Sequence, residues 1–103
     1  MAYAEVFVAL ADPTRRQIFE ALRKRPKTVG ELAERLPVSR PAVSQHLKVL
    51  ESASLVSAEP QGNRRLYSLR RDGLDDLREY VEGFWSDVLS AYGAEIARRA
   101  KHK

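Results

Sequence analysis

The sequence predicts a mainly α-helical domain that carries one small β-hairpin. Three observations predict it. Apolar residues recur at three- and four-residue spacing along most of the chain. Each periodic run is bounded by capping residues or prolines. One stretch, residues 55–69, instead alternates on either side of "PQGN". With 103 residues, a single domain over residues 1–103 is expected. A chain of this size buries only about two-thirds of its unfolded surface, so association with a second copy would help it.

The elements follow in order. Tyr3, Val6, Phe7 and Leu10 mark a short apolar helix over residues 2–10. Asp12 caps the next helix and Pro13 suits its first turn, where the missing N–H is no loss. That helix turns Ile18, Phe19 and Leu22 inward and is expected to end near "RKRP", where Pro26 forbids continuation. "TVGEL" reads as a capping box, Thr28 accepting from the Glu31 amide and Glu31 reaching back to the Thr28 amide. The third helix runs to about Leu36, burying Val29, Leu32, Ala33 and Leu36, and Pro37 breaks it. Ser39 caps a fourth helix with Pro41 in its first turn. So short a connection forces a sharp turn, which makes residues 28–53 a helix-turn-helix candidate.

"LVSAE" and "RRLYSL" then form the hairpin, with Pro60 pointing to an edge strand. From residue 72 to about residue 100 the pattern is helical again, with Leu74, Leu77, Val81, Phe84 or Trp85, Val88 and Tyr92 on one side. This is an amphipathic helix of about seven turns.

The fourth helix raises the functional question. At 100° per residue, Val43, Leu47 and Leu50 fall within about 60° of one another and form a narrow buried stripe. Pro41, Gln45 and Ser52 lie opposite, Ser44 and Lys48 beside them, and Arg40 at the start. The acidic Glu51 comes only at the far end. Such a face suits the major groove of double-stranded DNA: Gln pairs with adenine, Arg or Lys with guanine, and Ser with several edges or a phosphate. An ordinary solvated helix face would look similar on this helix alone. The hairpin tip, with Asn63, Arg64 and Arg65, tells against it, because a basic-tipped hairpin directly after a helix-turn-helix is the order of a winged helix. Overall charge agrees, with 18 Lys and Arg against 14 Asp and Glu, net +4, and a pI near 9.7.

"DPTRRQIFEAL", "VGELAERLPVSRPAVSQHLKVLESASLV" and "PQGNRRLYSL" together resemble the ArsR-type winged helix-turn-helix transcriptional regulators over nearly the whole chain, residues 3–95. The resemblance implies a homodimer that binds a two-fold-symmetric operator and represses. It makes the third and fourth helices the DNA-binding pair, residues 55–69 the wing, and the first and last helices (the latter about residues 73–98) the dimer interface. The expected DNA contacts are Ser39, Arg40, Pro41, Ser44, Gln45, Lys48, Asn63, Arg64 and Arg65. The expected dimer contacts are Tyr3, Val6, Phe7, Leu10, Val81, Phe84, Trp85, Val88 and Tyr92.

Two departures from the family stand out. Ser54 replaces the Gly usual at the end of the recognition helix. A left-handed Ser costs on the order of 1 kcal/mol relative to Gly, so this helix is expected to end by another route. The metal-sensing members carry Cys ligands, or Asp/His/Glu sets on the last helix. This chain has no cysteine, and its last helix offers acids but no His before His102. No metal, no cofactor and no catalytic residue are therefore expected.

Other candidates have plainer readings. His46 sits at the edge of the buried stripe, which favours a structural hydrogen bond over a phosphate contact, and a lone histidine is no metal site. Asp75, Asp76, Glu79 and Glu82 lie on the polar side of the last helix, without a nucleophile or a Gly-rich phosphate loop, so an enzyme is not expected. Tyr80, Phe84, Trp85 and Tyr92 form an aromatic cluster that fits dimer packing better than a small-molecule pocket. Gly83 and Gly93 weaken that helix unless they admit a close neighbour or a bend. The end "ARRAKHK" reads as solvated. Apolar runs are too short to cross a membrane, and the start lacks a positive segment ahead of its apolar residues, so a cytoplasmic location is expected. No small-molecule effector can be named from these residues. The alternative from another class is a winged-helix protein-interaction module, which acidic or apolar residues on the outer face of the fourth helix would have favoured.

Overall fold

The computed structural model describes residues 3–100, leaving aside the side chains of Tyr3, Ile96 and Ala97. The order is α1 (Tyr3–Ala11), α2 (Pro13–Ala21), β1 (Lys27–Thr28), α3 (Val29–Arg35), α4 (Arg40–Ser52), β2 (Val56–Gln61), β3 (Arg64–Leu69) and α5 (Arg71–Ala100). This is the mainly helical chain with a small antiparallel hairpin that the periodicity predicts.

The helix starts follow from local chemistry. The Asp12 carboxylate accepts the Arg15 amide at 2.9 Å, and that bond holds its pKa below the ordinary carboxylate value. Ser39 Oγ accepts the Ala42 amide at 3.3 Å. The capping box is complete: the Glu31 amide donates to Thr28 Oγ1 at 3.3 Å, and the Thr28 amide donates to Glu31 Oε1 at 3.1 Å. Glu31 also accepts from Arg25 at 2.8 Å. That guanidinium first, and the Thr28 amide next, lower its pKa from 4.5 to about 2.

A depressed pKa means that the folded chain binds the Glu31 proton less readily than the unfolded chain does. The associated stability is present above pH 4.5 and fades as the pH falls toward about 2. Glu31→Gln is therefore expected to show a smaller fall in melting temperature than the parent across that window. Parallel acid titrations followed by circular dichroism would check it.

Three features differ from expectation. First, α2 stops at Ala21, well before Pro26. Lys27 is buried, and its Nζ donates to the Ala21 carbonyl at 2.7 Å, closing the helix end. Burial pushes the Lys27 pKa below its ordinary value. Second, residues 27–28 form a strand. The sheet order is β1-β3-β2, with Lys27 opposite Tyr67 and Thr28 opposite Leu66. β2, which contains Pro60, is thus an edge strand as expected.

Third, α4 does end on a left-handed serine. Ser54 has φ 59°. Its amide bonds to Glu51 O at 3.0 Å, and the Leu55 amide to Leu50 O at 3.0 Å. This pair of bonds is the Schellman closure that usually employs glycine. The closure is stabilised from outside, because the Gly73 amide donates to Ser54 O at 2.8 Å. Ser54→Gly is expected to raise stability by about 1 kcal/mol through relief of this backbone cost, read as a higher denaturant midpoint at unchanged slope.

The hairpin turns on Gly62 and Asn63, with Gln61 paired to Arg64. Gly62 has φ 63° and Asn63 has no positive φ, which fits a type II′ turn with glycine first. The core gathers Val6, Ala9, Ile18, Leu22, Leu32, Val43, Leu47, Leu50, Leu55, Val56 and Tyr67. It thus joins α1 through α4, β2 and β3, while α5 lies against it through Leu74 and Leu77 and then runs on, giving extents of 56 × 31 × 21 Å. Among the described residues no helix is long and apolar enough to cross a membrane.

Candidate nucleic-acid interface

α4 buries Val43, Leu47 and Leu50 completely. That fixes the helix rotation, so the opposite face must look outward. Ser39, Arg40, Pro41, Gln45 and Lys48 are exposed and Ser44 is half-buried. The β2–β3 hairpin projects Asn63, Arg64 and Arg65, all exposed at its tip.

Between helix and hairpin lies an open groove of about 530 Å³. Arg40, Ser44 and Lys48 line one side, Asn63, Arg64 and Arg65 the other, and the first turn of α3 closes one end with Thr28, Val29 and Gly30. Six of the nine residues expected to meet DNA thus converge on one concave surface, although the two groups lie at residues 40–48 and 63–65 of the sequence. Ser39, Pro41 and Gln45 lie outside the groove, exposed on the face of α4. Arg40, Lys48, Arg64 and Arg65 face two carboxylates there, Glu31 and Glu34, and Glu31 is already held by Arg25.

At the sequence level α3 was paired with α4, but none of its residues was named as a contact. Its signal was Gly30, a poor helix former in a helical first turn. A Cβ on Gly30 would stand 3.2 Å from Arg40 Nη2, so the glycine leaves the room in which the Arg40 guanidinium lies.

His46 is half-buried, and its Nδ1 lies 3.4 Å from Arg15 Nη1. Arginine only donates, so Nδ1 is the acceptor, in line with the structural role expected. His102 lies outside the described residues. Glu82 pairs with Arg78 at 2.8 Å on the outer side of α5. Among the described residues no three His, Cys, Asp or Glu side chains gather as a metal site.

The residues expected at a dimer interface divide. Val6 is a correction: it is wholly buried within the single chain, because α1 turns Val6 and Ala9 toward the core, and it has no surface to offer a partner. Leu10 is half-buried against the same core, and Val88 is half-buried on α5. The Tyr3 side chain lies outside the described residues. Phe7, Val81, Phe84 (61%), Trp85 (56%) and Tyr92 (63%) are exposed. Phe7 meets Tyr80 edge-on, with ring centroids 5.1 Å apart. Leu89 is also exposed and extends this apolar face, though the sequence reading did not single it out. So large an apolar face is unusual on a chain that stays alone.

Known proteins resemble this chain in sequence and structure. A helix-turn-helix domain family matches residues 10–57. The chain is 57% identical over 88 residues to the HTH-type transcriptional regulator Rv2034 of Mycobacterium tuberculosis, covering 85% of this chain and 82% of that one. It is similar in structure to an ArsR-like transcriptional regulator from Rhodococcus sp. RHA1, with a TM-score of 0.67, 33% identity, and 98% of this chain and 88% of the other covered. It also resembles the homodimeric winged helix-turn-helix DNA-binding domain of Mb0332 from Mycobacterium bovis, a possible ArsR-family regulator. There the TM-score is 0.67 at 27% identity, with 85% of this chain and 82% of the other covered.

Proposed function

Because the chain belongs to the ArsR family of winged helix-turn-helix, DNA-binding transcriptional regulators, we propose that it works as a homodimeric repressor that grips a two-fold-symmetric operator. The observation that carries this reading is the groove, in which cations from α4 and from the hairpin tip share one surface beside an exposed Gln45. In this reading α4 enters the major groove from its Ser39 end, and Pro41 fixes the first turn that approaches the bases. Gln45 reads a base edge, Arg40, Ser44 and Lys48 contact bases or phosphates, and Asn63, Arg64 and Arg65 hold the flanking backbone. The exposed face of α1 and α5 meets its symmetry mate, an isologous contact that sets two half-sites about 34 Å apart or a multiple of it. The homodimeric state of the Mycobacterium bovis domain supports that part. With no cysteine in the chain, its signal is not a metal held by thiolates.

The test is a titration of the purified protein against the DNA upstream of its own coding region and against a scrambled duplex, at several salt concentrations. Tighter binding to the upstream duplex that survives physiological salt supports the repressor reading. Equal, steeply salt-sensitive binding to both would reduce it to a basic surface. Within that assay Gln45→Ala is expected to lose about 1–3 kcal/mol of base discrimination. Arg64→Ala should instead weaken all sequences alike and lower the salt slope by about one. Equal losses on specific and random DNA from both variants would contradict this division of roles.

A further inference from the structure

A helix leaves its last four carbonyls without partners of its own. In α1 these belong to Val8, Ala9, Leu10 and Ala11, and two neighbouring arginines of α2 take all four. Arg15 donates from Nε to Ala9 O at 2.8 Å and from Nη2 to Val8 O at 3.3 Å. Arg16 donates from Nη1 to Leu10 O at 2.9 Å and to Ala11 O at 3.1 Å. Arg15 reaches further, to His46 Nδ1 on α4 at 3.4 Å, the residue beside Gln45. Its own backbone amide is pinned to the Asp12 carboxylate at 2.9 Å.

One anchored side chain therefore touches both the helix that presents Phe7 and Val8 outward and the helix that presents Gln45 outward. Apolar packing also joins α1 to α4, through Val6 and Ala9 in the core. Such packing is non-directional, so it resists separation more than rotation. Hydrogen bonds to carbonyls and to a ring nitrogen are directional. The Arg15 bridge therefore adds a fixed angle where packing alone supplies adhesion. Neither Arg15 nor His46 lines the groove.

We infer that Arg15 and His46 are positioning residues, which set the angle between α1 and α4 and with it the half-site spacing that the dimer accepts. This rests on the dimeric operator-binding reading above.

The experiment uses duplexes selected by the wild-type protein from a random pool, then remade with one or two base pairs added or removed between the half-sites. Wild type, His46→Leu, His46→Asn and Arg15→Met are titrated against each, with dimer mass and melting temperature recorded. His46→Leu is expected to keep its mass and its affinity for an isolated half-site. It should lose on the order of ten-fold of its preference for the selected spacing. His46→Asn, whose Oδ1 stands where Nδ1 was, should restore most of that preference. Arg15→Met should lose it too and also melt lower, since it strands two carbonyls of α1. Unchanged spacing preference in His46→Leu would overturn the inference and leave the regulator reading intact. A wild-type protein that enriches no duplex from the pool would overturn both.

Discussion

Gly73→Ala is expected to destabilise the fold by about 1–3 kcal/mol or more, the range for forcing an extra methyl into filled space. A Cβ on Gly73 would stand 2.7 Å from Ala53 O, 2.9 Å from Ser54 O and 2.8 Å from Leu55 Cδ2. Two of those three atoms are backbone, and backbone cannot swing aside as a side-chain tip can. The first turn of α5 would have to retreat from the end of α4, stretching the 2.8 Å bond from the Gly73 amide to Ser54 O. That bond also supports the left-handed serine, so one added methyl strains two elements. Denaturant unfolding reads the loss. The opposite sign is expected for Gly93→Ala, where an added Cβ meets nothing within 4 Å in the chain and the helix gains about 1 kcal/mol of propensity. A Gly73→Ala protein that unfolds at the parental midpoint would contradict the tight joint between α4 and α5.

The second large effect concerns assembly. In the homodimer proposed above, the double variant Phe84→Asp/Trp85→Asp is expected to abolish pairing and sediment as a monomer. Both side chains are mostly exposed in the single chain, so the fold itself loses little by the change. Burying new carboxylates against their symmetry mates would be costly without partners. Operator affinity should then fall by about two orders of magnitude or more, because a linked pair of half-site contacts becomes two separate ones. Binding to non-specific DNA should fall far less. A variant that stays dimeric would place the subunit contact elsewhere than on α5.

Most of the candidate site was legible before the fold was known. The rotation of α4 follows from Val43, Leu47 and Leu50, and once that stripe is buried the outward side chains are determined. The hairpin tip follows from "PQGN", since a Gly-Asn pair between alternating runs has few other uses. Less legible was the part of the groove built by α3, because Gly30 reads in sequence only as a weak point in a helix. Its purpose emerges from Arg40, a residue on the next helix that lies across it.

The exposed apolar face of α1 and α5 was half legible for a related reason. Periodicity places Val6 and Phe7 on one apolar stripe, yet Val6 is covered by the core and Phe7 remains open. A stripe says that a surface must be covered and does not say by what. On α5 the same ambiguity divides Leu74 and Leu77, which meet the core, from Phe84 and Trp85, which run beyond it.

What the sequence determined by itself is whatever closes within a few residues: the caps at Asp12, Thr28 and Ser39, the break at Pro37, the two-residue turn, and the buried stripe of α4. Each is a local hydrogen bond or a helical period, so neighbouring residues suffice to specify it. Tertiary structure alone decided the strand at Lys27–Thr28, the left-handed Ser54, and the capture of the α1 carbonyls by Arg15 and Arg16. The strand exists because β3 offers it an edge. The serine is held by an amide from α5, and the arginines act across the break between two helices. In each case the stabilising partner belongs to another element, and only packing brings it within bonding distance.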